Sequence, residues 1–193
     1  MQGSPTANIG EHGAAPGVRR PSRMHHHAFV TTDLQATRHF YEDIIGLPLV
    51  ATWAEVDRFP DRDRVYCHTF FELADGSALA FFQFQDPSAE PPVARQTSPS
   101  IHIALACDEP TQQEILDRLR GAGYSETDAI MRDHGYCKSL YVNDPNGLRL
   151  EFTVDAPEMP EILQQQKASA HQTMTRWLAG DHTSNNSYRP EHH

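Results

Sequence analysis

Two segments decide the fold, residues 68–82, HTFFELADGSALAFF, and residues 139–152, SLYVNDPNGLRLEF. Each consists of two β-prone runs joined by a short polar turn with a Gly, which is the pattern of a β-hairpin. Written one above the other without a gap, the two segments place Phe70 over Tyr141 and Ala80 over Glu151. Hairpins that match along their whole length predict an internal repeat.

A strand and a capped helix precede each hairpin. In the first half, HHHAFVTT is a β-prone run, Asp33 is a suitable helix N-cap, and Gly46 ends the helix that the apolar spacing predicts. In the second half, SIHIALAC is the strand and residues 108–119 are the helix. Each half is therefore predicted to be a βαβββ module, at about residues 24–86 and 99–154.

The modules leave a segment at each end of the chain. Residues 1–21 are rich in Gly, Pro and Ala without periodicity, so we expect a disordered or draped arm. Residues 22–155 hold the repeat. In residues 156–193, apolar side chains at helical spacing predict a helix packed on the domain or on a partner subunit, with a ragged end from about Thr183. The fold class is α+β with a C-terminal helix.

Composition narrows the class of partner. The chain has 193 residues and a formal charge of −10, which argues against nucleic acid and anionic membrane surfaces as partners. No apolar run is long enough to span a bilayer, and the N-terminus lacks the pattern of a signal peptide. Three scattered cysteines indicate reduced thiols. We expect a cytoplasmic protein with a small-molecule partner.

Three side chains stand out as candidate metal ligands. His102 lies between two isoleucines in the first strand of the second half, where a core histidine bonded to backbone is the alternative. Glu151 lies between Leu150 and Phe152, and a buried carboxylate without a partner would be costly, although a half-solvated strand face is the alternative. In the first half, His26 and His27 compete, because successive strand residues point to opposite faces.

The modules resemble the vicinal oxygen chelate superfamily, which includes glyoxalases, bleomycin-resistance proteins and extradiol dioxygenases. The resemblance covers about residues 23–155, and its most specific stretches are HHAFVTTDLQATRHFYEDIIG at 26–46 and HGYCKSLYVNDPNGLRLE at 134–151. It implies that the paired βαβββ modules form an eight-stranded, cup-shaped half-barrel with a metal at its centre. It also implies a homodimer.

The resemblance also implies the ligand set. The family's four metal positions map to His26, Ala80, His102 and Glu151, and the spacing to the helix-opening Asp33 favours His26 over His27. Ala80 cannot bind a metal. Glyoxalase-like members fill all four positions, whereas extradiol dioxygenases use two His and one Glu, a facial triad with open positions for substrate and O₂.

Two further residues are catalytic candidates. Tyr141 matches the extradiol tyrosine that contacts substrate oxygens, and an ordinary strand aromatic is its alternative. His134 is the candidate acid/base, since imidazole exchanges protons near neutral pH. Strict counting would place the family's histidine nearer Arg132, so a loop histidine without a special role is the alternative.

The leading hypothesis is thus an Fe(II)-dependent, ring-cleaving dioxygenase of the extradiol type. It would act on a catechol-like or other vicinal-oxygen small molecule together with O₂. The alternatives are a Mn(II)-dependent thiol transferase or lyase of the same superfamily, and a metal-free resistance protein that binds small molecules.

Overall fold

A computed structural model describes residues 19–88, 98 and 100–189. The first half of the chain folds into strand β1, helix α1 and three further strands. Their bounds are β1 His26–Val30, α1 Leu34–Arg38 with a π-helical continuation at His39–Ile45, β2 Leu49–Arg58, β3 Asp63–Glu72 and β4 Ala78–Phe84.

The second half repeats this order. Its elements are β5 Ile103–Ala106, α2 Glu109–Gly121, β6 Ile130–Asp133, β7 Cys137–Asn143 and β8 Arg149–Asp155. The predicted α+β fold of paired βαβββ modules is confirmed. Strand β6 could not be located from the sequence, because four residues of mixed polarity carry too little alternation to stand out.

The eight strands form two four-stranded sheets, in the orders β1-β4-β3-β2 and β5-β8-β7-β6, and the described residues form no closed barrel. In each sheet the first strand pairs parallel with the last, and the other neighbours are antiparallel. The register pairs Phe70 with Ala80 and Tyr141 with Glu151, as the gap-free match of the hairpins predicts. We call the face that carries these pairs the inner face of each sheet.

The helices begin and end where the sequence indicates. The Asp33 carboxylate accepts a hydrogen bond from the Ala36 amide at 2.9 Å, and Asp108 accepts one from Thr111 at the same distance. Gly46 ends the first helix with a φ of 93°, a conformation that favours Gly. Both helices therefore start from side-chain caps rather than from packing alone.

The other face of each sheet packs into one core that the two modules share. Tyr41 is fully buried against Phe71 and Phe81 of its own module, and its hydroxyl donates to Asp144 of the other module at 2.9 Å. Arg118 in α2 donates to the carbonyl oxygens that end the first helix, at 2.6 and 2.9 Å. The modules thus join through their helices, which leaves the inner faces pointing away from the core.

The C-terminal helix α3 spans Met159–Leu178, as predicted, but only its first turns pack on the domain. Ile162 is its one buried residue, whereas Trp177 is 58% exposed and Leu178 is 77% exposed. Beyond α3 the chain turns back, and the Asn186 side chain donates to the His134 carbonyl oxygen at 3.4 Å. Residues 181–189 form no helix or strand, and residues 190–193 of the predicted ragged end lie outside the described residues.

The predicted N-terminal arm lies largely outside the residues that the structure describes, and the expectation about membrane-spanning segments is tested only within them. Residues 1–18 of the N-terminal arm fall outside the described residues. In the part of the chain that is described, no helix has the length and apolar character needed to cross a membrane.

Candidate metal centre

Glu151 is a buried carboxylate in the middle of β8. Its side chain is 8% exposed, while Leu150 and Phe152 on either side of it enter the shared core. Tyr141, directly opposite in β7, donates to Oε1 of Glu151 at 2.8 Å, and Ser139 donates to the same oxygen at 2.5 Å. Hydroxyl groups hold one carboxylate oxygen, and within the described residues no Lys or Arg forms an ion pair with it.

His102 approaches the other oxygen of this carboxylate. It precedes β5, whose parallel pairing with β8 sets Ile103 beside Leu150 and so brings His102 to the same end of the inner face. Its Nε2 lies 2.7 Å from Oε2 of Glu151, and its ring meets Tyr141 edge-on at a centroid distance of 5.7 Å. An imidazole nitrogen and a carboxylate oxygen therefore converge at one point.

Tyr141 is held in its protonated form. Burial, reinforced by its hydrogen bond to the Glu151 carboxylate and by the charge there, raises the pKa of Tyr141 to about 12. A phenol with this pKa remains a hydrogen-bond donor throughout the physiological range.

His134 extends the network to the sheet edge. Its backbone amide donates to the Cys137 carbonyl oxygen at 2.9 Å, which fixes the turn between β6 and β7. Its Nε2 lies 3.1 Å from the Tyr141 hydroxyl. One continuous chain of polar contacts thus runs from His134 through Tyr141 and Glu151 to His102.

His26 occupies the matching position on the inner face of the first sheet. Its ring lies 5.4 Å from Phe70 and 6.1 Å from His68, both centroid distances, and its Nδ1 lies 2.7 Å from Nδ1 of His25. The ring is exposed, and Nε2 has no partner among the described residues.

His27 points to the opposite side of β1. It stacks on Phe29, which packs against the core, with the ring centroids 4.3 Å apart. Strand alternation therefore places His26, and not His27, on the face that carries Ala80. This geometry favours His26 as the candidate ligand.

The five candidate residues do not meet at one place in a single chain. His102, Glu151, Tyr141 and His134 are linked by successive contacts, while His26 lies on the other sheet among the aromatic side chains. Within the ranges described, no three His, Cys, Asp or Glu residues are grouped closely enough to hold a metal ion.

Two residues of this region escaped the sequence reasoning. Ser139 supplies a hydrogen bond to Glu151, and its signal was present, because the repeat places it over His68 on the inner face. Arg149 extends its guanidinium over the Tyr141 ring, 4.8 Å from the ring centroid. Its position, two residues before Glu151 in an alternating strand, would have placed it on the same face.

The donor set fits a divalent transition metal. Imidazole nitrogen and carboxylate oxygen are ligands that iron, manganese and zinc all accept. The Glu151 carboxylate is buried with no Lys or Arg partner in the described part of the chain, and hydroxyl donors occupy Oε1, so Oε2 is the oxygen that faces His102. His102 and Glu151 would supply two ligands, and an imidazole such as that of His26 would complete a two-His, one-carboxylate set.

Comparison with known proteins agrees with this architecture. Residues 23–152 match the Glyoxalase/Bleomycin resistance protein/Dioxygenase superfamily. A glyoxylase/bleomycin resistance protein/dioxygenase domain from Frankia sp. EAN1pec is similar in structure, with a TM-score of 0.54 and 14% identity, over 71% of this chain and 100% of that one.

A mutant of the fosfomycin resistance protein FosX from Listeria monocytogenes, complexed with Mn(II) and 1S,2S-dihydroxypropylphosphonic acid, has a similar fold. Its TM-score is 0.53 and its identity 18%, over 73% of this chain and 98% of that one. At these identities the structural likeness shows the fold alone, whereas the sequence match covers both modules. The chain belongs to the Glyoxalase/Bleomycin resistance protein/Dioxygenase superfamily.

Proposed function

We propose that this protein is an Fe(II)-dependent dioxygenase of the extradiol type that acts on a small molecule with vicinal oxygens. The observation that carries the proposal is the register of the two hairpins. It sets Ala80 at the position that Glu151 occupies in the second sheet, so that the repeat offers two His and one carboxylate instead of four ligands. Such a triad leaves positions for both substrate and O₂.

The third ligand, we propose, comes from a second copy of the chain. Within one chain His26 stays apart from His102 and Glu151, and the inner face that carries it is open. Trp53 pairs with His68 on that face and is 57% exposed, an unusual position for a large aromatic side chain. A symmetric dimer in which each inner face covers the other would bury Trp53 and complete two equivalent sites.

The protein's own groups would bind and orient the substrate. A bound Fe(II) would supply Lewis acidity and open coordination positions. Tyr141, kept protonated by its raised pKa, would turn its one hydroxyl hydrogen from Oε1 of Glu151 to a substrate oxygen. His134, 3.1 Å from that hydroxyl, would accept or return a proton at Nε2.

The first sheet would contribute an apolar wall. His68 stacks on Phe82 with the ring centroids 3.6 Å apart and tilts against Phe70 at 4.3 Å, so aromatic rings cover the inner face next to His26. Burial, followed by the proximity of His26, lowers the pKa of His68, which favours the neutral ring. Such a wall suits an aromatic substrate and excludes water from one side of it.

A second candidate is Mn(II)-dependent chemistry on a phosphonate without O₂. The similar fold of the FosX complex with Mn(II) and a phosphonic acid, together with the cationic Arg149 beside Tyr141, favours it over the remaining alternatives. The two candidates differ in their need for O₂ and in the metal that supports turnover.

Metal analysis and O₂ uptake test the proposal together. We expect anaerobically prepared protein to retain about one Fe(II) per chain and to consume O₂ with a catechol. The matched variants His26→Ala and His27→Ala should differ in metal content. His26→Ala removes a proposed ligand and should lower it, whereas His27→Ala removes only the ring stacked on Phe29 and should not. Metal retention with Mn(II)-supported turnover in the absence of O₂ would favour the second candidate. Equal metal content in both variants would contradict the ligand assignment.

A further inference from the structure

Arg149 carries a charge that the fold does not use. Its Nε is buried and has no hydrogen-bond partner, and within the described chain no carboxylate forms an ion pair with its guanidinium. The guanidinium carbon lies over the face of the Tyr141 ring, 4.8 Å from the ring centroid. A guanidinium has five N–H donors in a planar fork, so most of its binding capacity is left over.

Other arginines of the chain are used for structure. Arg118 ties the two modules together through backbone carbonyl oxygens, and Arg38 forms a two-pronged pair with Asp43. In a protein with a formal charge of −10, carboxylate partners are abundant. Arg149 has no carboxylate partner among the described residues because of its location, and not because the chain has few acidic residues.

The Arg149 side chain lines a cavity of about 130 Å³ at the edge of the inner face. Tyr141 and Asn143 of β7 form one wall, and the segment between α2 and β6 forms the other, including Tyr124, Thr127 and Asp128. The Asp128 carboxylate is engaged elsewhere, because hydrogen bonds from the Ser125 side chain and backbone hold it and lower its pKa. Asp128 therefore lines the cavity as a carboxylate, but within the described chain it forms no ion pair with the Arg149 guanidinium.

The cavity and the candidate metal centre share a wall. Arg149 and Glu151 are alternate residues of one strand, so their Cα atoms are separated by about 7 Å. Tyr141 lies between them, with its ring against the guanidinium and its hydroxyl on the carboxylate. An anion bound at Arg149 would be separated from a metal at Glu151 by roughly the width of a substituted aromatic ring.

We propose that Arg149 binds an anionic substituent of the substrate, a carboxylate or phosphonate, while the vicinal oxygens of the same molecule reach the metal. This inference rests on the proposed function for the position of the metal, but the anion subsite itself is built from Arg149, Tyr141 and Asn143 alone. The substrate is then an acid, and an uncharged catechol would bind more weakly than its carboxylated analogue. In the complex, the guanidinium would donate charge-assisted hydrogen bonds to the anion, where Nε has no partner among the described residues.

The test uses metal-depleted full-length protein, so that failure of the metal proposal does not affect it. Benzoate and phenylphosphonate are the anionic probes and benzamide is the neutral match, each titrated while the protein's amide chemical shifts are followed by NMR. We expect saturable shifts around β7 and β8 with the two anions and much smaller shifts with benzamide. Phenylphosphonate binding more tightly than benzoate would identify phosphonate as the preferred group.

Arg149→Met removes the charge and keeps most of the stem, and we expect it to weaken benzoate binding about tenfold. Lys138→Met is the matched control, because it removes a cation from the opposite side of β7. Arg149→Lys should recover part of the affinity, which shows that charge rather than folding is at issue. Equal losses in the Arg149→Met and Lys138→Met variants, equal binding of benzoate and benzamide, or no saturable shift with the wild-type protein would overturn the proposal.

Discussion

The two sheets share one register but differ in chemistry. On the inner face of the first sheet, His68, Phe70 and Phe82 stack as an aromatic layer beside Ala80. On the second sheet, the positions of His68, Phe70 and Ala80 are held by Ser139, Tyr141 and Glu151, which form one hydrogen-bonded group. The same backbone therefore carries an apolar wall in one half and a carboxylate with its donors in the other.

The comparison shows how a duplicated module can divide its tasks. Backbone pairing fixes where a side chain stands and which face it points to, while the residue placed there decides whether the face carries a hydrogen-bonded carboxylate or an aromatic layer. An imidazole remains at the first-strand position of both halves, at His26 and His102. The carboxylate remains in the second half alone.

Ala80→Glu removes the main difference between the sheets, and we expect the largest effect on stability from it. Ala80 is fully buried next to Ala28 and Phe70, so a carboxylate there loses its hydration without a partner. The free energy of unfolding should fall by about 3 kcal/mol at neutral pH. Urea denaturation with and without divalent metal measures this loss.

The neutral variant Ala80→Gln is the matched control. The buried position would raise the pKa of the new carboxyl in the folded state, so its protonated form is favoured there and its destabilisation grows as the pH rises through that pKa. The Glu and Gln variants should therefore converge at acidic pH. Equal stability of the two at neutral pH would show that position 80 is hydrated and not part of an apolar wall.

Tyr141→Phe makes the second sheet resemble the first at one position. The change removes the hydroxyl that links Glu151 to His134, and we expect kcat/KM for the oxygenase reaction to fall about 100-fold. Metal affinity should fall by about tenfold at most, as expected for the loss of one hydrogen bond to Oε1 of Glu151, because the hydroxyl is not itself a ligand. Phe70→Tyr is the mirror control, and combining it with Tyr141→Phe should recover no activity. A metal loss as large as the activity loss would reassign Tyr141 to a structural role.

Ser139→Ala removes the second hydroxyl that donates to the Glu151 carboxylate, and we expect a smaller effect from it than from Tyr141→Phe. Ser139 holds Oε1 of Glu151, so its removal should lower metal affinity about tenfold, measured by competition with a chromogenic chelator. Thr153→Val is the control, since Thr153 accepts a hydrogen bond from Ser139 at 3.4 Å, whereas Ser139 and Tyr141 are the described residues whose hydroxyls donate to the carboxylate. A larger effect from Thr153→Val would mean that packing at this position outweighs the hydrogen bond.

Much of the fold could be predicted because the local signals agree with the tertiary structure. Asp33, Asp108 and Gly46 delimit helices through backbone chemistry that operates within a few residues. The gap-free match of the hairpins also gave the register, since side-chain alternation tolerates no slip of one residue. Strand β6 was missed because its pairing with β7, and not its composition, makes it a strand.

The site was harder to predict than the fold. Contact between His102 and Glu151 follows from parallel pairing of β5 with β8, whereas the family resemblance implied only that both residues belong to one ligand set. The role proposed for Arg149 could not be predicted from the sequence of β8, because the lack of a hydrogen-bond partner at its Nε is visible only in the folded structure. The separation of His26 from the candidate ligands His102 and Glu151 depends on how the modules join through their helices, a long-range property that no local pattern encodes.

Complementation between variants tests the central claim most directly, namely that each metal site combines His26 of one copy with His102 and Glu151 of another. His26→Ala and Glu151→Ala, each alone, should bind little metal and consume no O₂. When equal amounts are unfolded and refolded together, half of the dimers become mixed and hold one intact site, so about a quarter of the wild-type metal content and O₂ uptake should return. Failure of the refolded mixture to recover either quantity, while wild-type protein treated in the same way recovers both, would contradict the account.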